Sequence, residues 1–263
     1  MKLAHVRALF VRELREITRS KMILVTMAIL PGMLVAISLI AEHTLMAADE
    51  AAFHVEGAPP DLLARFTHLG PKLAVLALLN EQFMSMLLVI AAALPATIAA
   101  HSVIGEKVER TLEPLLATPI STGDLVVGKA LVGMAPALVL SWLSYLVTIV
   151  GIRAMAPPEL FGLVVRPVWP LAFGLVAPLL SLGSVLATLA LSARVNDPRT
   201  AQGVSAFLIL PLFGVGISAL SGAITLDVTW VLAAAAALLL LDLVLLRLVV
   251  AIFGRETILT RWR

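Results

Sequence analysis

The sequence predicts an all-α membrane protein, and three observations carry that prediction. First, 60% of the 263 residues are apolar and only 14% are charged, whereas a typical soluble domain is about half apolar and a quarter charged. Second, six stretches are long and apolar enough to cross a bilayer. Third, lysine and arginine gather on one side of these stretches. We therefore expect six transmembrane helices in a single domain, residues 1–263, with a flat amphipathic helix before them and a short cytoplasmic helix between spans two and three.

The six predicted spans set the order of elements along the chain. They cover residues 22–41, 81–104, 130–152, 169–192, 201–221 and 230–253. Asn80 and Glu81 interrupt the apolar run that begins before span two, so we expect a separate outer amphipathic piece at 73–80. Pro211 lies inside span five, and segment 211–229 is either a clean exit or a re-entrant pair of short helices.

Positive charge orients the spans. Fourteen lysines and arginines lie on the side of the two termini: Lys2, Arg7, Arg12, Arg15, Arg19, Lys21, Lys107, Arg110, Lys129, Arg194, Arg199, Arg255, Arg261 and Arg263. Four lie on the other side: Arg65, Lys72, Arg153 and Arg166. Because cytoplasmic loops carry the excess of positive charge, both termini are predicted to be cytoplasmic. A retained first span and six spans in all suit the plasma membrane of a prokaryote.

Composition excludes several classes of function. The chain has no cysteine, which removes disulfides, thiolate metal sites and cysteine nucleophiles. Its net charge of +2 gives no reason to expect nucleic acid as a partner. The segment from Gly123 to Lys129 has the spacing of a phosphate-binding loop, but Ala130 replaces the hydroxyl residue that such a loop needs. We expect no catalytic residues, no metal site and no cofactor bound by this chain.

The N-terminal segment, residues 1–21, is predicted to form an amphipathic helix at the inner membrane surface. Its apolar residues are spaced by three and four positions: Leu3, Val6, Phe10, Leu14 and Ile17. Arg12, Arg15 and Arg19 fall on the opposite face. Such a helix lies flat, with its basic face toward lipid headgroups or a partner. The simpler alternative is an anchor that only fixes topology.

Two connecting segments face opposite sides of the membrane. The external segment 42–72 is the longest loop, and we expect a solvated cap with a short helix that starts at Asp61. The cytoplasmic loop 105–129 contains Leu112, Leu115 and Leu116 on one helical face, bounded by prolines. An exposed leucine face needs a partner surface. That surface is either a separate protein or the chain's own helical bundle.

Two further features stand out along the chain. A short loop before span five carries Arg194, Asp197 and Arg199, with Asp197 placed to cap the next helix. The small residues Ser181, Gly183 and Ser184 are typical of helix packing in membranes. Their helix carries no ionisable group.

Two acidic residues occur within or beside predicted spans. Asp242 lies about halfway along span six, where it is either a structural hydrogen-bond partner or a residue of a transport cavity. Glu81 stands at the outer end of span two and is expected at the membrane interface. If Asp242 belongs to a transport cavity, the chain would be an ion-coupled secondary transporter. We find no internal repeat of the kind that such transporters have.

At the cytoplasmic loop the sequence resembles the membrane subunits of ATP-binding-cassette transporters of the ABC-2 permease type. The resemblance rests on Glu106-Lys-x-Glu-Arg110-x-Leu-Glu-x-Leu115-Leu-Ala-Thr-Pro119-Ile, on the Arg194-to-Gln202 segment before span five, and on the tail Phe253-Gly-Arg-Glu-Thr-Ile-Leu259. The basic N-terminal helix and the six-span layout agree with it. The resemblance therefore covers nearly the whole chain.

The resemblance implies a role for each cytoplasmic segment. The N-terminal helix corresponds to the connecting, or elbow, helix of these proteins. Residues 106–119 correspond to a coupling helix that contacts a separate ATP-binding subunit, through Glu106, Arg110, Leu112, Glu113, Pro114, Leu115, Leu116 and Pro119. Arg194, Asp197 and Arg199 correspond to a second, smaller contact.

The resemblance also implies an assembly. Two copies of this chain and two ATPase subunits form an exporter, with ATP and Mg²⁺ held by the ATPase. Lipids, drugs, peptides and ions are all compatible substrates, while the low aromatic content of 5% weighs against sugar polymers.

Overall fold

All regular structure in the part of the chain that the structure describes is helical, which confirms the predicted all-α class. This computed structural model describes residues 7, 10–12, 14, 15, 18–50, 70–108, 122–192 and 227–252. The helices are α1 (Lys21–Ala47), α2 (Gly70–Val108), α3 (Thr122–Met155), α4 (Pro158–Val164), α5 (Val168–Ser192) and α6 (Val228–Ile252). Five of them, all except α4, are long and apolar enough to cross a membrane. The predicted span at 201–221 lies outside the described residues, as does most of segment 211–229.

Helix α2 corrects the sequence prediction of a separate piece at 73–80. It is one continuous helix of 39 residues that runs through both polar positions at which we expected a break. The side chain of Asn80 donates to Glu42 Oε2 on α1, 2.9 Å away, and to the carbonyl of Leu76 one turn back. Glu81 Oε1 pairs with Arg166 Nη1 at 2.7 Å. Because neighbouring segments satisfy both polar side chains, the helix has no reason to end there.

The helices contain the other described spans and extend beyond some of their predicted limits. Helix α1 continues to Ala47, so the first part of segment 42–72 is helical, and α2 takes its last three residues. Helix α3 starts at Thr122, eight residues before the predicted span at 130–152. The short helix α4 was not anticipated. It has Pro158 at its first position, and Arg153 of α3 lies over its Phe161 ring, 5.3 Å from the ring centre.

Helix α2 forms the centre of the bundle. It packs against α1, α3, α4 and α5, while α6 packs mainly against α5. In the most apolar stretch of α2, 67% of the residues are buried inside the bundle, whereas in that of α6 only 11% are buried. The exposed residues of α1, α3 and α6 are large and apolar, including Ile29, Val150 and Leu240. Such surfaces suit contact with lipid rather than water.

Polar contacts lie toward the two ends of α2. The Glu81–Arg166 ion pair lies toward the end of α2 that the charge asymmetry predicts to be outer, and Lys129 Nζ donates to Ser102 Oγ toward the end predicted to be inner, 2.9 Å away. Glu81 and Ser102 are 21 positions apart on α2, which corresponds to about 32 Å along a helix and matches a hydrocarbon core of about 30 Å. Helix α2 therefore projects beyond the membrane at both ends.

Helix α6 has a well-formed cap at its outer end. The hydroxyl of Thr229 and the backbone N–H of Trp230 donate to Asp227 Oδ1 at 2.6 and 3.0 Å. These two hydrogen bonds hold the pKa of Asp227 below its ordinary value. Their contribution to helix stability is therefore present above that ordinary value and is lost as the pH falls through the lowered pKa.

We expect Asp227→Ala to fray the first turn of α6, because the N–H groups of that turn lose their acceptor. Amide hydrogen exchange at Trp230 and Val231 should be faster in the variant at neutral pH, and equal to wild type in strong acid. Asp227→Asn keeps a capping oxygen and serves as the control, with slow exchange that does not depend on this titration. Equal exchange in all three proteins at neutral pH would contradict the capping role.

Candidate functional site

The inner ends of α2 and α3 form the candidate functional site. The two helices pack against each other, and residues 109–121 connect them in the chain. Lys129 is only 3% exposed, and its ammonium group donates to Ser102 across the helix pair. Asp124, in the first turn of α3, is also 3% exposed. The hydrogen bond from Lys129 to Ser102 therefore holds α3 beside α2 at this level.

Most of the predicted contact residues lie outside the described part of the chain. These are Arg110, Leu112, Glu113, Pro114, Leu115, Leu116 and Pro119, together with Arg194, Asp197 and Arg199. Glu106 is in the last turn of α2. The structure therefore shows the two helices that precede and follow the loop. The roles of the loop residues stay predictions.

The N-terminal segment is helical at each position that the structure describes between 10 and 19. Arg12, Arg15 and Arg19 are exposed, while Phe10 and Leu14 are half-buried. The apolar and basic positions thus differ in exposure in the way that an amphipathic helix requires. Its correspondence to a connecting helix stays a prediction.

Asp242 lies in the contact between α6 and α5. It is 2% exposed, and neither carboxyl oxygen has a hydrogen-bond partner in the part of the chain that the structure describes. A Cβ atom added to Gly183 would lie 2.6 Å from Asp242 Oδ1. The carboxyl group therefore occupies the space that the missing side chain of Gly183 leaves, and any residue larger than glycine would compete with it.

The small-residue segment of α5 packs as the sequence predicted. Ser181 Oγ donates to the carbonyl of Ala91 on α2 at 2.6 Å, and Ser184 Oγ donates to that of Ala92. Gly183, the residue before Ser184, lies against the carboxyl of Asp242 on α6. One segment of α5 thus joins α2 to α6, because small residues let the backbones approach and hydroxyl groups can donate across the contact.

A second group of polar side chains lies at the outer end. Glu81, which we expected at the interface, is paired with Arg166 in the segment between α4 and α5. Glu42 is 3% exposed and accepts from Asn80. Lys72 Nζ donates to the carbonyls of Met46 and Ala48, both at 2.7 Å, and so caps the end of α1. These contacts join three segments: α1, α2 and the segment between α4 and α5.

Comparison with known families identifies the chain. The model of the ABC-2 family transporter proteins matches residues 7–254, which is nearly the whole sequence. The chain belongs to the ABC-2 transporter family. It is therefore a membrane transport subunit, and the resemblance seen in the cytoplasmic loop is confirmed at the level of the family. No curated protein matches this ABC-2 chain significantly.

The described residues of this ABC-2 chain offer no group of three or more His, Cys, Asp or Glu side chains that could hold a metal ion. Among these residues, the contacts Asn80–Glu42 and Lys129–Ser102 each join two helices. Sequence reasoning missed the Glu42–Asn80 and Lys129–Ser102 contacts. The available signal was a polar residue on the otherwise apolar buried face of each helix, but only the structure identifies the partner.

Proposed function

We propose that this chain forms the substrate pathway of an ATP-driven exporter as one of two identical membrane subunits, each coupled through residues 106–119 to a separate ATP-binding subunit. The observation that carries the proposal is the family match over residues 7–254. Membership of the ABC-2 family implies association with an ATP-binding cassette subunit. In this proposal ATP and Mg²⁺ are bound by that subunit and not by this chain.

The geometry of α2 and α3 supports this route of coupling. Both helices are longer than the membrane requires, with 39 and 34 residues, and their inner ends flank the proposed contact segment. The Lys129–Ser102 hydrogen bond joins them at the inner membrane edge. A force applied to the loop between them would therefore move two helices together. Closure of the ATPase pair on ATP is the proposed source of that force.

An ion-coupled secondary transporter is the alternative function, with Asp242 as the coupling residue. The position of Asp242 against Gly183 favours a role in helix packing instead, since the carboxyl group is enclosed on the described side. The variant Asp242→Asn separates the two functions, because asparagine keeps the shape of the side chain and cannot ionise. Loss of transport with intact coupling to the ATPase would favour the ion-coupled function.

The proposal is tested by affinity purification of the tagged chain from its native membrane in mild detergent, followed by mass spectrometry. We expect an ATP-binding subunit in equal amount, and two copies of each chain by native mass measurement. The same purification with Leu115→Asp should lose the ATPase and keep the membrane chain. A homogeneous preparation with no ATPase under any detergent condition would reject the proposal.

A further inference from the structure

Helix α5 is irregular at one place. Residues Ala172–Val176 form a π-helical turn, and the N–H of Ala177 donates to the carbonyl of Ala172, five positions back. Pro178 follows, and proline has no N–H and would press against the carbonyl four positions back in a regular helix. The wider turn relieves that contact. With hydrogen bonds that run five positions back, the N–H of residue 178 would donate to the carbonyl of Phe173. Because Pro178 has no N–H, this carbonyl lacks a donor from its own helix.

A tryptophan of a different helix supplies the missing donor. Trp142 Nε1 on α3 donates to the carbonyl of Phe173 at 2.8 Å. Tyr145, one turn further along α3, stacks on the Phe173 ring with 4.4 Å between ring centres and 22° between ring planes. Phe173 is thus held through its backbone by one aromatic residue and through its ring by another. This arrangement ties the irregular turn of α5 to α3.

The irregular turn divides α5 into two parts with different surroundings. Beyond it, the segment with Ser181, Gly183 and Ser184 packs tightly on α2 and α6. Before it lie Val168 and Trp169, both buried, close to the outer ion pair of Arg166. Sharp bends in helices occur at prolines and π turns, where intrahelical hydrogen bonds are missing. The turn is therefore the place at which these two parts can change their relative angle.

We propose that the turn Ala172–Val176 is the hinge of α5, and that Trp142 is the positioning residue that sets its angle by donating to the carbonyl that Pro178 leaves free. Movement of α3, which follows the proposed coupling segment in the chain, reaches the irregular turn of α5 through this contact. The consequence for turnover rests on the proposed function. The replacement of the donor that Pro178 lacks by the indole N–H of Trp142 does not rest on the proposed function, and it is tested separately.

The first experiment measures amide hydrogen exchange in segment 172–182 of the full chain in lipid nanodiscs. Trp142→Phe keeps an aromatic ring and removes the donor, so exchange should rise about fivefold, as expected for the loss of one net hydrogen bond. Trp230→Phe is the matched control, because Trp230 is 51% exposed and Trp142 is 42% exposed. Trp230 Nε1 makes no hydrogen bond within the described residues, so Trp230→Phe should leave exchange in this segment unchanged.

Pro178→Ala provides the decisive comparison. Alanine restores a backbone N–H, so the carbonyl of Phe173 gains a donor from its own helix and no longer needs the indole. In this background Trp142→Phe should change exchange by less than about twofold. If Trp142→Phe has the same effect with and without Pro178, or no larger effect than Trp230→Phe, the proposed link between Trp142 and Pro178 is wrong.

The second experiment tests the hinge in the assembled complex with its co-purified ATPase. Pro178→Ala should raise the thermal midpoint, because a continuous helix is more stable, and should lower the ATPase kcat about tenfold, because α5 can no longer bend. A purely structural role of Pro178 predicts a stable complex with unchanged turnover, and that result would overturn the hinge. Absence of any co-purified ATPase would count against the proposed function alone, since the exchange experiment uses this chain by itself.

Discussion

Leu116→Asp is expected to abolish stimulation of the ATPase by this chain while leaving its insertion into the membrane intact. Leu116 shares a helical face with Leu112 and Leu115 in the proposed contact segment. A carboxylate placed in a desolvated protein contact without a partner costs about 2–5 kcal/mol, which lowers affinity by at least thirtyfold. The measurement is ATP hydrolysis by the purified complex, together with the amount of ATPase that stays bound.

The control for this prediction is Leu116→Met, which keeps the volume and apolar character of the side chain. We expect binding and stimulation within about twofold of wild type. Both variants should be recovered from the membrane fraction in equal amounts, because the segment lies outside the predicted spans. Normal ATPase stimulation by Leu116→Asp would show that this leucine face packs on the chain's own bundle and that the ATPase binds elsewhere.

The sequence predicted the helical class and the five spans that fall within the described residues, because long apolar runs do not depend on tertiary contacts. It did not predict the continuity of α2, since the residues that satisfy Asn80 and Glu81 lie 38 and 85 positions away. A polar pair in an apolar run has the same pattern whether it ends a helix or contacts a neighbour. Glu42 and Arg166, supplied by other segments, decided between the two.

The irregular turn of α5 shows the same limit. Pro178 indicates a disturbed helix, but proline in a span produces a bend, a gap or a π turn depending on which donor is near. Trp142 is 31 positions away from the carbonyl that it satisfies. Helix α4 was missed for a different reason, because seven residues between prolines are too few to show a helical period.

The candidate contact site was predicted from local features, and the roles of its residues stay predictions. The leucine spacing and the prolines of the cytoplasmic loop are properties of a short segment, and they agreed with the family match. The small residues Ser181, Gly183 and Ser184 indicated a helix contact, and the structure confirms it. The sequence could not say that Asp242 fills the space beside Gly183, because that depends on the register of α5 against α6.

Gly183→Ala is expected to destabilise the chain by about 1–3 kcal/mol, because the added methyl group overlaps the carboxyl of Asp242. The added Cβ would lie 2.6 Å from Asp242 Oδ1, closer than van der Waals contact allows. The enclosed side chain has little room to rotate away. Thermal unfolding in a fixed detergent measures the effect. Gly162→Ala is the control, since no atom lies within 4 Å of its added Cβ, and it should be neutral or slightly stabilising.

A double-mutant cycle assigns the destabilisation to this pair. Asp242→Ala removes the group with which the new methyl collides, so Gly183→Ala should cost less than about 0.5 kcal/mol in that background. The coupling energy between the two positions should then account for most of the single-variant effect. Additive effects would mean that Gly183 is needed for its backbone alone. A large coupling, together with normal ATPase stimulation by Asp242→Asn, would establish Asp242 as a packing residue of the α5–α6 contact and leave the ion-coupled mechanism without its residue.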